Sequence, residues 1–442
     1  MKNTSLLALL FLLLIGNSTF SQTKKWTLRE CVDYAIKNNI SIKQSELDLK
    51  VSDIEKIEAI GNFIPSLNGN ASFSVNTGAS INPVTNQFQN ETFKSFSAGL
   101  NSSVTIFNGL VNWKNLQRSK LSKIANTYRL DKMKDDIALS VTNSYLQILF
   151  NKEQLKVQKN QNLVTKENLK RTQELINAGS VPAGDIFELE ATDATQQQQI
   201  FSTENTLLIA KISLCQTLLL DEYSTFDIAD VDIDVPVSVV VNESQEAILA
   251  KAKEAVKDVK IAISNVELAK KDLAISKASY LPTLSGFVGY NTRWSESPLY
   301  NFIDQLSLFD GTAVGLQMNV PIFNGFTTKS RVKRAKINQE RSEFQLKQTE
   351  LDLERNVYQA YNDVINAKKS YEAAQKTLEA RKQAYNFTKE RYNVGLQNAF
   401  DFSQSTIVLE NAQSEVLRTK YDYIFKVKIV EFYFGIPIIS GN

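Results

Sequence analysis

The sequence predicts a mainly α-helical protein that also carries β-strands of membrane length and is built as a tandem duplication. Three observations lead there. Two stretches 216 positions apart nearly coincide, Val104-Thr105-Ile106-Phe107-Asn108-Gly109 and Val320-Pro321-Ile322-Phe323-Asn324-Gly325. The same offset pairs Arg118 with Arg334, Lys120 with Lys336, Tyr145 with Tyr361, Gly179 with Gly395 and Asp185 with Asp401. A long fixed period means one structural unit built twice. In each copy a segment of period-two alternation precedes an uninterrupted helical pattern, and no stretch after the amino terminus holds the 18 apolar residues of a spanning helix. If the mature chain enters a membrane, it does so by strands.

The amino terminus reads Lys2, an apolar run from Leu6 to Ile15, then small and polar residues to Ser21-Gln22. That pattern predicts a cleaved secretory signal over residues 1–21. Neither cysteine follows it closely, so an unlipidated start is expected. Cys31 and Cys215 lack metal-ligand spacing and read as two buried small side chains, although a disulfide is conceivable in an oxidising compartment.

Lys+Arg 50 against Asp+Glu 48 gives no global charge that would call for nucleic acid. The absence of histidine removes the commonest general base and a leading metal ligand. Ser180 has no nucleophile-elbow context, and no glycine-rich phosphate loop follows a strand. Neither an enzyme nor a cofactor is expected.

The first repeat, residues 22–220, opens on Thr27-Leu28-Arg29-Glu30. This is a capping box, and it predicts a helix running to about Ile60. Between Pro65 and Asn108 the period becomes two: Ala71, Phe73 and Val75 alternate with Ser72, Ser74 and Asn76, and Phe96, Ala98 and Leu100 with Ser97, Gly99 and Asn101. These predict a hairpin over 66–108 with one apolar and one polar face, its strands 10 to 13 residues long. An ordinary half-buried hairpin would show the same pattern. Residues 112–176 then contain no Pro or Gly and predict a helix of about 100 Å at 1.5 Å per residue. Asn177-Ala178-Gly179 supplies a left-handed cap, and a return helix spans 183–220.

Residues 221–243, with Pro236, read as a linker able to add a short strand of its own. The second repeat, 244–442, repeats the order: a helix, a hairpin over 283–323, a long helix over 327–393, the turn Asn393-Val394-Gly395 and a return helix over 399–434. Its external loop, 293–310, carries Trp294, Tyr300, Phe302, Leu306 and Phe309 and either folds over the strand ends or packs on itself.

Four strands cannot close a membrane barrel, whose smallest form has about eight, so protomers must share one; two copies or more satisfy that arithmetic. At this point the chain resembles the TolC-like outer-membrane efflux proteins over nearly its whole mature length. The resemblance is carried by Thr27-Leu28-Arg29-Glu30 with Ala35 and Asn38-Asn39, by Pro65 and Pro282 at the strand starts, by both Ile-Phe-Asn-Gly strand exits and by both glycine-aspartate tips. It implies a homotrimer with a shared 12-stranded barrel in the outer membrane and a coiled-coil tunnel in the periplasm. It further implies docking to a periplasmic adaptor and an inner-membrane pump of the RND or ABC type, in efflux or type I secretion. A structural coiled-coil spacer of the envelope is the alternative, since long rods also serve as spacers.

The resemblance assigns adaptor contact to Gly179, Val181, Gly395 and Leu396, and a periplasmic gate to Tyr392 bonding Asp185. Threefold symmetry would add rings of Asp185 and Asp401, although both aspartates also suit the positive end of a helix dipole. The chain departs from the family pattern at Gln397 and Gln404, where other members use an arginine and an aspartate, so closure is expected to rest on fewer charged links. From the residues themselves, Arg118, Lys120, Arg334 and Lys336 lie just beyond barrel strands and are expected to meet lipid phosphates of the inner leaflet.

Overall fold

The computed structural model describes residues 25–81, 86–221, 223–230, 235, 240, 243–296 and 299–437. The expected signal segment, 1–21, and Pro236 lie outside the described residues. In chain order the elements are β1 (Lys25–Trp26), α1 (Leu28–Asn38), α2 (Ile40–Gly61), β2 (Ser66–Ile81), β3 (Phe88–Phe107), α3 (Val111–Asn177) and α4 (Asp185–Leu218). They continue as β4 (Asp227–Ile228), α5 (Gln245–Ala255), α6 (Lys257–Ala278), β5 (Thr283–Ser295), α7 (Phe302–Leu308), β6 (Gly311–Asn319), α8 (Thr327–Asn393) and α9 (Ala399–Phe434). None of the described helices is long and apolar enough to cross a membrane.

The capping box forms as expected: Glu30 N–H donates to Thr27 Oγ1, and Thr27 N–H to Glu30 Oε2. The helix it starts does not run to Ile60, however. It breaks at Asn39, whose ψ of 136° is extended, and the second copy breaks likewise at Val256 with ψ 130°. No Pro or Gly marks either break. Asn39 compensates with its side chain, accepting from Ser41 N–H and donating to the Thr217 carbonyl.

The chain divides into two compact units that do not coincide with the repeats. One comprises Gln44–Asp131 and Lys257–Leu351 and contains a four-stranded antiparallel sheet in the order β2-β3-β5-β6. β2 pairs with β3 from Ser66↔Ser103 to Ile81↔Phe88, β3 with β5 from Ser95↔Ser295 to Phe107↔Leu284, and β5 with β6 from Thr283↔Asn319 to Asn291↔Gly311. β2 and β6 are therefore open edges. Strand lengths differ from the even 10 to 13 expected. The first hairpin has 16 and 20 residues and the second 13 and 9, and residues 320–323 lie beyond β6.

The other unit comprises the segments through Lys43, Lys132–Val256 and from Asp352 onward. Its main core gathers Cys31, Val32, Ala35, Val141, Tyr145, Ile148, Leu214, Cys215, Leu218 and Ile424 from α1, α3, α4 and α9. Both cysteines are buried in this core and are not joined by a disulfide. Burial pushes the Cys215 thiol up to about 11, so it packs as a small hydrophobe.

Candidate functional site

Three features offer a surface on which to do something: the sheet, the turns after the long helices, and a polar seam along α3. In the sheet, residues opposite one another share a face. Ala71 and Phe73 align with Ala98 and Phe96, Leu67 and Leu100 lie on the same side of those strands, and Tyr290, Val288, Val314 and Leu316 continue that face across β5 and β6. Leu67, Val314 and Leu316 are 72%, 75% and 69% exposed, so a broad apolar face is bare in the single chain.

The opposite face is wet. Ser72 and Ser97 hydroxyls meet at 2.8 Å, Ser74 and Ser95 at 2.8 Å, and Asn101 Nδ2 donates to Asn70 Oδ1 at 3.1 Å. Gly289 leaves room here, since a Cβ on it would stand 2.9 Å from Asn101 Oδ1.

Both strand exits turn by one device. Asn108 Oδ1 accepts from Asn112 N–H and Asn324 Oδ1 from Thr328 N–H, capping the long helices. Gly109 (φ 67°) with Leu110 (65°), and Gly325 (60°) with Phe326 (63°), are successive left-handed residues. Glycine enters that region freely and other residues at a cost of roughly 1–2 kcal/mol, which explains the repeated Asn-Gly.

The far turns also repeat. Ser180 N–H donates to Leu175 O and Gly179 N–H to Ile176 O, matched by Leu396 N–H to Arg391 O and Gly395 N–H to Tyr392 O. Both are Schellman caps with glycine at φ 71° and 75°. A Cβ on either glycine would meet nothing within 4 Å, so only the backbone demands glycine there. Val394 and Leu396 are 68% and 69% exposed, while Val181 is half-buried.

The tip aspartates do not cap. Gly184 and Asn398 hold the N-cap positions, and Asp185 and Asp401 sit in the first turns of α4 and α9. Asp401 accepts from Gln397 Nε2 at 2.6 Å, so one glutamine of the departing pattern binds this aspartate, while Gln404 is exposed. Tyr392 does not make the bond that the resemblance implied. Tyr392 shares a hydrogen bond with Thr172 at 2.7 Å, not with Asp185, because its ring is stacked on Phe402 at 4.6 Å and aims the hydroxyl at α3. Arg171 adds a bond to Asn393 at 2.8 Å.

The basic cluster divides. Arg118 is ion-paired with Asp272 of α6, and Lys336 lies 3.8 Å from Glu340 one turn along α8. Lys120 and Arg334 are exposed.

The polar seam escaped the sequence reading. Asn151, Gln158, Gln161, Thr165 and Thr172 are buried and Gln154 half-buried along one stripe of α3 at spacings of three, four and seven, a signal that heptad counting of polar residues could have found. Gln154 donates to Ser414, Thr192 shares a bond with Ser403, and Gln196 donates to Glu410. Burial raises the Glu410 carboxyl above its ordinary value, and the Gln196 bond offsets part of that.

Also missed was a clamp on the amino-terminal strand. β1 pairs in parallel with β4, giving the linker its expected strand, and Lys152 bridges Asp227 at 3.1 Å and Asp230. Lys211 reaches Asp227 at 2.9 Å, Lys25 reaches Asp230, and the Tyr145 hydroxyl donates toward the Trp26 and Ala229 carbonyls. Partial burial pushes Asp227 up, but Lys211 and Lys152 outweigh it and hold the carboxyl below its ordinary value. Asp230 is lowered by Lys152 and Lys25.

An open strand quartet, two caps repeated at equal spacing and two long helices match a known family. Residues 31–218 and 248–427 both match the profile of the outer membrane efflux protein. The chain belongs to the outer membrane efflux protein family. Among solved structures this efflux-family chain is similar to a membrane protein from Pseudomonas aeruginosa, with a TM-score of 0.79 at 14% identity over 94% of this chain and 92% of that one. It is also similar to the outer membrane protein VceC of Vibrio cholerae, TM-score 0.75 at 14% identity over 92% and 96%. By sequence it is 24% identical over 239 residues to the proteases secretion protein PrtF of Dickeya chrysanthemi, covering 53% of this chain and 50% of that protein. The chain thus spans half the length of that relative. Membership puts this efflux-family protein in the outer membrane with its helical portion on the periplasmic side.

Proposed function

We propose that the protein is the outer-membrane exit duct of an efflux or type I secretion system, passively conducting what an inner-membrane pump and a periplasmic adaptor deliver. The observation that carries this reading is the two-faced open sheet. A bare apolar face suits lipid, a serine and asparagine ladder suits a water-filled lumen, and two unpaired edges require further copies to close the barrel. Three chains would give the twelve-stranded homotrimer of the family resemblance.

The tips fit adaptor docking, with Leu396 exposed at a turn of the second repeat and Gly179, Val181 and Gly395 beside the same caps. Closure at that end rests on the Tyr392–Thr172 and Arg171–Asn393 links, with Asp185 and Asp401 as acidic rings about the axis. Lys120, Arg334 and Lys336 are left to meet lipid phosphates, with Arg118 bound to Asp272.

A spacer without a lumen would have no use for a polar ladder on the inner face. Reconstitution of the purified protein in planar bilayers tests the difference. A duct gives discrete ohmic conductance steps; membranes that contain the protein and stay electrically silent support the spacer.

A further inference from the structure

The described residues of the external loop are held by three contacts to the sheet. Phe302 of α7 packs on Phe96 of β3 at 5.6 Å and on Trp294 of β5 at 5.5 Å between ring centroids. The Thr292 hydroxyl donates to the Leu306 carbonyl at 2.6 Å. Phe96, Trp294 and Thr292 all belong to the apolar face, since they share registers with Phe73 and Ala98.

Gln305 locks the loop there. It is wholly buried, accepts from Ser295 N–H and donates to the carbonyls of Ser295 and Tyr300. One side-chain amide thereby stands in for the strand partner that β5 lacks beyond Gly311.

The height of this contact is also fixed. From Thr283 to Trp294 a strand tilted by about 40° rises roughly 30 Å, close to the apolar band of about 25 Å on an outer-membrane barrel. Charge begins at the next step, where Lys94 of the same face lies 3.5 Å from Glu296. At that height Leu299, just before α7, and Ile303 and Leu308 on α7 are 68%, 70% and 55% exposed.

We infer that the 299–308 segment is an interfacial anchor, with Leu299, Ile303 and Leu308 seated in the outer leaflet at the boundary of acyl chains and headgroups. The inference rests on the barrel reading. A bare apolar turn continuous with a lipid-facing sheet, flanked by Trp294 and Tyr300, has the composition of an aromatic girdle.

The test attaches a fluorophore to Ile303→Cys in a Cys31→Ala/Cys215→Ala background, in the reconstituted full-length protein, with Leu316→Cys as the reference on the sheet. Shallow spin-labelled lipid should quench position 303 and aqueous iodide should not, while deep spin-labelled lipid quenches 316. Quenching of 303 by iodide alone, with 316 still quenched by lipid, overturns the anchor and leaves the barrel standing. Quenching of 303 by neither agent means that a second copy covers it, which also overturns the anchor. Failure of lipid to quench 316 removes the barrel reading itself.

Discussion

The two repeats agree in their turns and differ in their walls. At the strand exits both use Asn-Gly followed by a left-handed residue, and at the tips both use a Schellman glycine. Between those points they diverge. The first hairpin is longer, with strands of 16 and 20 residues, whereas the second has 13 and 9 and adds α7. Among the described residues, a lysine-aspartate clamp joins Lys25, Lys152 and Lys211 of the first repeat to Asp227 and Asp230 of the linker. At the strand exits and the tips the left-handed glycine is kept in both copies, while positions that face a neighbour answer to whatever stands opposite.

The tips give the largest expected contrast with stability. Gly395→Glu should abolish export by blocking the adaptor at the exposed Val394–Leu396 turn, and should leave the oligomer intact because no atom lies within 4 Å of the new Cβ and the left-handed backbone costs only roughly 1–2 kcal/mol. An export assay run beside native electrophoresis checks both. Normal export would remove the second tip as a docking point.

The strand exits come next. A Cβ at Gly109 would stand 2.9 Å from the Ala278 carbonyl and 3.0 Å from Leu281, whereas at Gly325 it meets nothing within 4 Å. Gly325→Ala should then cost only the left-handed penalty of roughly 1–2 kcal/mol, and Gly109→Ala that penalty plus about 1–3 kcal/mol for overpacking. Thermal unfolding of both variants in detergent measures the gap. Equal losses would mean that neighbouring chains crowd Gly325 as tightly as Ala278 crowds Gly109.

The clamp sharpens the contrast through pH. Because the folded carboxyls of Asp227 and Asp230 lie below the ordinary 3.8, their contribution is present above that value and is lost as pH falls through the lowered folded values. Asp227→Asn should destabilise the protein by about 1–3 kcal/mol at pH 7, as for a hydrogen bond to a charged group, and by progressively less below pH 3.8. Denaturation at both pH values checks it, and a deficit that does not shrink in acid would leave the clamp without an electrostatic role.

The smallest effect is at the ends of the return helices. Leu219 (φ 59°) occupies in the first repeat the left-handed position that Gly435 (φ 88°) occupies in the second. Leu219→Gly should stabilise by about 1 kcal/mol by relieving that strain. An unchanged unfolding midpoint would show that Leu219 packing offsets the strain in full.

The same contrast explains what could be read in advance. The duplication, the capping box at Thr27, the strand faces around Phe73 and Phe96 and the glycine tips were all legible, because each is written in residues whose backbone or face preference is strong. The breaks at Asn39 and Val256 were not, since neither residue disfavours a helix enough to announce one. Tyr392 was matched to Asp185 by likeness alone, and its stacking on Phe402 depends on a long-range packing that no local pattern carries. The clamp joins Lys25, Lys152, Lys211, Asp227 and Asp230 from four distant segments, and its charges look like ordinary surface until the strands meet. Whether loop 293–310 covers the strand ends or packs on itself was open, and a single buried amide, Gln305, decides it.

On the proposed function, a quartet of strands with two bare edges becomes a barrel by pooling copies. The mass of the protein part of the detergent-solubilised complex, measured by light scattering, tests it most directly. Three chains per particle, hence twelve strands, is the predicted result; two chains would mean an eight-stranded barrel, and a single chain stable in detergent would contradict the account altogether.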